Sequence, residues 1–141
     1  MSVDKRIIEF INRHHVLTLA TCAGNIPYTS SCFYVYDENE NCFIITSDIV
    51  TRHATEMTNN IKIAGAIALE TGIVGKIQGI QFTGIAVDLF GSESDRAKKK
   101  YIRKFPVATL AQLHLWKLKP DFIKMTHNRL GFGKKLIWSV E

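Results

Sequence analysis

Cysteine is scarce in this 141-residue chain: Cys22, Cys32 and Cys42 stand alone, and no two of them form a CxxC pair. An odd, scattered set of this kind excludes a disulfide framework and a cysteine-based zinc site, so no metal ligands are assigned. All three fall in expected strands, where a reduced thiol behaves as a small hydrophobe. No apolar run approaches the roughly 18 residues that span a bilayer, which removes a membrane-spanning helix. The start, Met-Ser-Val-Asp-Lys-Arg, lacks the h-region and cleavage site of a signal peptide, so a cytoplasmic location is expected. There is no G-x-S-x-G turn and no HExxH, which disfavours hydrolase and metalloprotease chemistry. Low-complexity segments and polar tails are missing as well.

What is present fits one domain spanning residues 1–141, with 46% apolar residues and a net charge of +5. Much of the excess positive charge sits between Arg96 and Lys104 and between Lys117 and Lys135. In the first segment the cations occupy the C-terminal half of an expected helix, where they suit the macrodipole. No recognised nucleic-acid module accompanies them, so neither nucleic acid nor membrane is expected as a partner.

Val3, Ile7, Phe10 and Ile11 recur at helical spacing, with Ile8 widening the stripe, and Ser2 is placed as N-cap. His14 and His15 follow at the end of this helix. Three strands are expected next: Val16 to Cys22, Tyr28 to Tyr36 and Cys42 to Thr46, joined as an antiparallel meander by turns at Ala23-Gly24-Asn25 and Asp37 to Asn41. Thr51 to Asn60 reads as a short helix with Ala54 and Met57 inward. From Ile61 to Glu70 the chain alternates, with Ile61, Ile63, Gly65, Ile67 and Leu69 on one face and the small Ala64, Ala66 and Ala68 on the other. Gly75 to Leu89 is a long strand, with a bend expected at Gly84. A second helix begins near Ser92 and Asp95, turns Ala97, Tyr101, Ile102 and Phe105 to the core, and ends at Pro106. One or two helical turns over Val107 to Leu113, a strand over Leu115 to Thr126 and a last strand over Leu136 to Val140 complete the chain. The class is mainly β (α+β), an antiparallel barrel of six to seven strands with peripheral helices.

Between the third strand and the helix after it lies Thr46-Ser47-Asp48-Ile49-Val50-Thr51-Arg52-His53. Hydroxyls, free amides at a helix start and one guanidinium gather there, a corner suited to a phosphate group.

These features occur in a familiar order: an opening helix, a meander, the Thr46-Ser47 and Thr51-Arg52 helix start, a strand holding Gln81-Phe82-Thr83-Gly84, and Trp116-x-Leu118-x-Pro120. The chain resembles the pyridoxamine 5′-phosphate oxidase-like, FMN-binding split barrels over nearly its full length. It is most similar to a small branch with a Gly-Phe-Gly-Lys segment, here Gly131 to Lys134. The resemblance implies a homodimer with FMN in grooves between two barrels, acting on a small-molecule substrate and accepting electrons from a donor such as NAD(P)H. It places Thr46, Ser47, Thr51, Arg52 and His53 around the flavin phosphate, with His53 where lysine is usual, and Gln81 at the isoalloxazine edge. A bulge at Gly79 would exchange Gln81 for Gln78. Phe132 and Lys134, in a glycine loop, are placed over the flavin of the neighbouring subunit. The segment that carries vitamin B6 specificity has no match here. Two alternatives accompany an oxidoreductase: a flavin-binding module without turnover, and a haem-handling barrel using His14, His15, His53, His114 or His127 as ligand.

Overall fold

The computed structural model describes residues 2–140, and its first helix shows how local chemistry sets an element boundary. α1 (Lys5–Arg13) buries Ile7, Phe10 and Ile11, one apolar stripe at helical spacing. Its N-cap is Asp4, not Ser2. The Asp4 carboxylate accepts the Arg6 amide at 2.8 Å and also grips the Arg6 guanidinium, two contacts that a Ser2 hydroxyl lacks. A carboxylate also complements the positive helix start better than a neutral hydroxyl. At the other end His14 packs on Phe10, and burial together with the charge of Arg13 holds its pKa below the ordinary histidine value.

The strands are β1 (Val16–Ala23), β2 (Ile26–Phe33), β3 (Val35–Asp37), β4 (Cys42–Thr46), β5 (Lys62–Ala68), β6 (Gln78–Asp88), β7 (Leu115–His127) and β8 (Lys135–Ser139). All pair antiparallel in the order β2-β1-β5-β6-β7-β4-β3, and β8 adds to β7. Eight strands replace the expected six or seven because the expected second strand breaks at Tyr34. Its first part pairs with β1 and its second with β4. Tyr34 is fully buried, and its hydroxyl donates to the Ile11 carbonyl at 2.5 Å, so α1 pins the bend. The backbone at this residue joins the two ends of the strand order and curls the sheet into a split barrel.

Alternation decides what lies inside. On β5 Ile63, Gly65 and Ile67 are buried, whereas Ala64 and Ala66 face outward. Phe82 enters the interior and stacks on Phe43 with ring centroids 4.6 Å apart. A methyl group on Gly65 would fall 2.3 Å from the Phe82 ring, so glycine is what admits that ring. Between Thr83 and Gly84 the β6–β7 register shifts, leaving Asp121 as an extra residue on β7.

α2 (Arg52–Asn59) lies against β1 and β2, and α3 (Gly91–Lys104) covers Ile44, Leu89 and Leu115 with Ala97 and Tyr101. Ile102, expected on that buried face, is only half-buried and lies beside Lys98 and Lys99, while Ala97 and Tyr101 form the buried stripe. Val74–Lys76 forms a 3-10 turn where the long strand was expected to start, and a second such turn occupies Pro106–Leu110. Cys32 and Cys42 are buried, while Cys22 is half-buried near the turn of the β1–β2 hairpin. No helix is long and apolar enough to cross a membrane among the described residues.

Candidate functional site

The corner between β4 and α2 is ordered by its own short-range chemistry. Thr51 caps α2: its Oγ1 accepts the Ala54 amide at 3.3 Å and donates to the Asp48 carbonyl at 2.7 Å. The Asp48 carboxylate accepts the Val50 amide at 3.1 Å, which closes the loop before the cap. Ser47 is buried, with its Oγ and His53 Nε2 2.7 Å apart across the first helical turn. Burial holds the His53 pKa below the ordinary histidine value, although Glu56 pulls the other way, so the ring is neutral near pH 7. Thr46 turns away: its Oγ1 donates to the His114 carbonyl at 3.1 Å. The amides of Arg52 and His53, first in the helix, find no acceptor among the described residues.

Arg52 has partners that sequence reasoning missed. Its Nε donates to Glu56 Oε2 at 2.9 Å, one helical turn on. Glu56 is buried, and its second oxygen accepts from Thr21 Oγ1 at 2.7 Å. The guanidinium carbon sits 4.0 Å from the centre of the Tyr28 ring. Arg52 therefore has its side chain about half exposed, at 54%, while its carboxylate anchor is inside. Both Nη groups make no hydrogen bond within the chain among the described residues. The i,i+4 spacing of Arg52 and Glu56 was a readable signal. Thr21 and Tyr28 were not, because they meet the pair only through the β1–β2 register, in which they face each other.

Gln81 lies elsewhere, on the outer face of the sheet. With Thr18, Ala20, Ala64, Ala66 and Phe122 it lines a groove of about 390 Å³ that no residue of the 46–53 corner enters. Gln78 points the other way; it is buried, and its Oε1 accepts from Arg13 at 3.2 Å. The bulge falls at Gly84, beyond both glutamines, so the alternation between Gln78 and Gln81 is regular. The loop after β7 is tied down by Asn128, whose Oδ1 accepts the Gly133 amide at 3.0 Å. It leaves Phe132 83% exposed, with Gly131 and Gly133 at positive φ on either side. Lys134 is exposed next to it, and its side chain joins no other candidate residue among the described residues. Within one chain the structure thus gathers Ser47, Thr51, Arg52 and His53 and leaves Gln81, Phe132 and Lys134 apart from them.

The histidines divide similarly. His114 Nε2 lies 2.6 Å from Asp88 Oδ1 beside Trp116. No histidine lines the Gln81 groove among the described residues. One cluster, Asp37, Glu40 and Cys42, brings three donor atoms within 4.8 Å of one another. Its carboxylates are already paired with Lys100 and Lys117, and burial pushes the Cys42 thiol up to about 12, which disfavours the thiolate a metal needs.

No family model matches the chain. A UPF0306 protein of Yersinia pseudotuberculosis is 41% identical over 133 residues, covering 94% of this chain and 90% of that protein. Among solved structures, a NimC/NimA family protein from Clostridium acetobutylicum matches with a TM-score of 0.74 at 18% identity, over 96% of this chain and 91% of that one. An FAD-binding protein from Mesorhizobium loti matches at 0.70 and 11% identity, over 85% and 89%. A haem binding protein from Mycobacterium smegmatis matches at 0.74 and 16% identity, over 89% of this chain but only 52% of that one. At such identities the likeness is one of fold, that of the pyridoxamine 5′-phosphate oxidase-like split barrels.

Proposed function

The chain belongs to the UPF0306 family, and from its split-barrel fold and the corner at the head of α2 we propose that it is an FMN-binding flavoprotein. In this reading it is an oxidoreductase acting on a small molecule, with flavin held at the seam of a homodimer. The observation that carries the reading is Arg52, whose Nη groups are unengaged beside two helical amides that are likewise unengaged among the described residues. Together they fit a phosphate monoester: a planar fork for two oxygens and a helix start for the third. Thr51 shapes that start, and Ser47 with His53 forms its wall. The fit has a counterweight, because one guanidinium shares the corner with the carboxylates of Asp48 and Glu56. Binding therefore rests on directed hydrogen bonds more than on bulk charge.

The outer groove supports the other half of the reading. Ala64 and Ala66 offer a flat, small-residue surface to a planar ring, and Gln81 supplies an amide at its edge. The groove is open to solvent on one chain, and a second copy would cover it, with Phe132 or Lys134 arriving from that copy. Bound flavin would supply hydride or electron transfer, with NAD(P)H as the donor, while the protein's part is orientation and electrostatics.

Titrating apo-protein with FMN by fluorescence quenching tests the assignment. Losing a charge-assisted pair is worth about 1.5–3 kcal/mol, so Arg52→Ala is expected to weaken binding roughly 10- to 150-fold. Equal affinity in both proteins refutes the phosphate corner. A monomeric mass by light scattering refutes the shared seam, and failure of NAD(P)H to bleach the flavin reduces the protein to a binding module. A haem-handling role is the second reading, favoured by the fold likeness to the Mycobacterium smegmatis protein. Against it, His53 and His114 are engaged by Ser47 and Asp88. An absorbance spectrum of freshly purified protein separates the two cofactors.

A further inference from the structure

Resting on the phosphate reading above, we propose that Glu56 is a positioning residue that, with Thr21 and Tyr28, fixes the Arg52 guanidinium as a two-pronged receptor for the phosphate of the bound nucleotide. Three contacts remove the freedom of an otherwise mobile side chain. Glu56 Oε2 takes Nε at 2.9 Å, the Tyr28 ring lies under the guanidinium plane at 4.0 Å, and Thr21 holds the other oxygen of Glu56 at 2.7 Å. Glu56 cannot swing after the guanidinium, because its carboxylate is buried and both oxygens are bound. With Nε committed inward, the end of the fork carrying both Nη groups is the part left for a ligand. An arginine held this way loses less freedom on binding than a free one, which is how an anchor of this kind raises affinity. The hydrogen bond from Arg52, and then that from Thr21, hold the Glu56 carboxyl below the usual carboxylate range, so the anchor is charged at neutral pH.

Anchoring and simple charge counting predict opposite effects of removing the Glu56 charge. Removing a negative charge near a phosphate should tighten binding by Coulomb's law; removing the anchor should weaken it. Glu56→Gln is therefore expected to weaken FMN binding about tenfold while leaving the affinity for riboflavin, which has no phosphate, unchanged. Thr21→Val keeps the volume and every charge but frees one oxygen of Glu56, and is expected to weaken FMN binding several-fold. Both are measured by fluorescence quenching beside Arg52→Ala, with circular dichroism to check folding. If Glu56→Gln binds FMN as tightly as the parent or tighter while Arg52→Ala binds weakly, the positioning role is wrong and the phosphate corner survives. If Arg52→Ala binds FMN normally, the corner itself is wrong. Should Glu56→Gln fail to fold, Thr21→Val decides: weaker FMN binding supports the anchor, and unchanged binding overturns it.

Discussion

Gly84→Ala is a severe test of how closely β6 and β7 approach at the bulge. A Cβ at Gly84 would lie 2.1 Å from the Lys119 carbonyl oxygen, 2.8 Å from its carbon and 2.9 Å from the Pro120 Cα. Ordinary carbon–oxygen contacts are about 3.3 Å or longer, so one strand must retreat by roughly 1.2 Å. The obstacle is the β7 main chain across a paired ladder, with Pro120 stiffening it, and no rotamer change relieves it. Overpacking of this kind costs about 1–3 kcal/mol, and here the upper end applies. Alanine also narrows the unfolded ensemble, which returns about 0.4–1 kcal/mol and leaves a net loss near 2 kcal/mol. For a chain of 141 residues that is a fall in Tm of roughly 7 °C. Gly75→Ala is the control, since a Cβ there meets nothing within 4 Å and only the unfolded-state effect remains. Calorimetry and urea melts of both variants supply the measurement. A Gly84→Ala protein within about 0.5 kcal/mol of the parent would mean that the strands do not approach so closely, and the account of the bulge would fall.

Thiol accessibility gives a second check: burial pushes Cys42 up to about 12 and raises Cys32, so Ellman's reagent should find one fast thiol, Cys22, and two slow ones until denaturant is added. Three equal rates would contradict the placement of β2 and β4. Protonation supplies a third check. The folded state depresses the His53 pKa below its ordinary 6.5, so the unfolded chain binds the proton more readily and this contribution, full above that value, is lost as pH falls. The apo-protein should accordingly lose more Tm between pH 7.5 and 5.5 than His53→Gln does. Equal pH slopes would show that His53 is not desolvated in the folded state.

Much of the fold was legible because its signals are local. The stripe Ile7, Phe10, Ile11 and the alternation of β5 are periodicities, and they appear as buried faces. The glycine at position 84 was legible as a bend, and the structure makes it a bulge where only a missing side chain permits the approach of Lys119. The alternative bulge at Gly79 is absent from the regular β6 register there. The break at Tyr34 could not be read, since Tyr28 to Tyr36 contains no glycine, proline, asparagine or aspartate; the bend is held by a hydrogen bond to a distant helix. At the site, Thr51 was legible as a cap because its partner is three residues away. Arg52 was legible as a cation but not as an anchored one. Its anchor is local, but the residues that hold that anchor belong to a strand pair fixed only by tertiary packing.

That strand pair also explains how one chain serves two separate surfaces. Ala20 and Thr21 are neighbours on β1 and therefore face opposite sides of the sheet. Thr21 points inward and holds Glu56, and through it Arg52; Ala20 points outward and lines the groove with Gln81. A slip of β1 by one residue against β5 would exchange them, placing a hydroxyl in the groove and a methyl group against a buried carboxylate. The register is secured where Thr18, Leu19 and Ala20 meet Ala66, Gly65 and Ala64. Leu19 and Gly65 share the buried side, next to the Phe82 ring. A bulkier residue at position 65 would thus press on Phe82 directly and on the β1–β5 register through it. Gly65→Ala should accordingly disturb both the groove, whose lining includes Gly65 itself, and the Arg52 corner, which it does not line. If it altered FMN affinity without lowering Tm, that link through the core would be wrong.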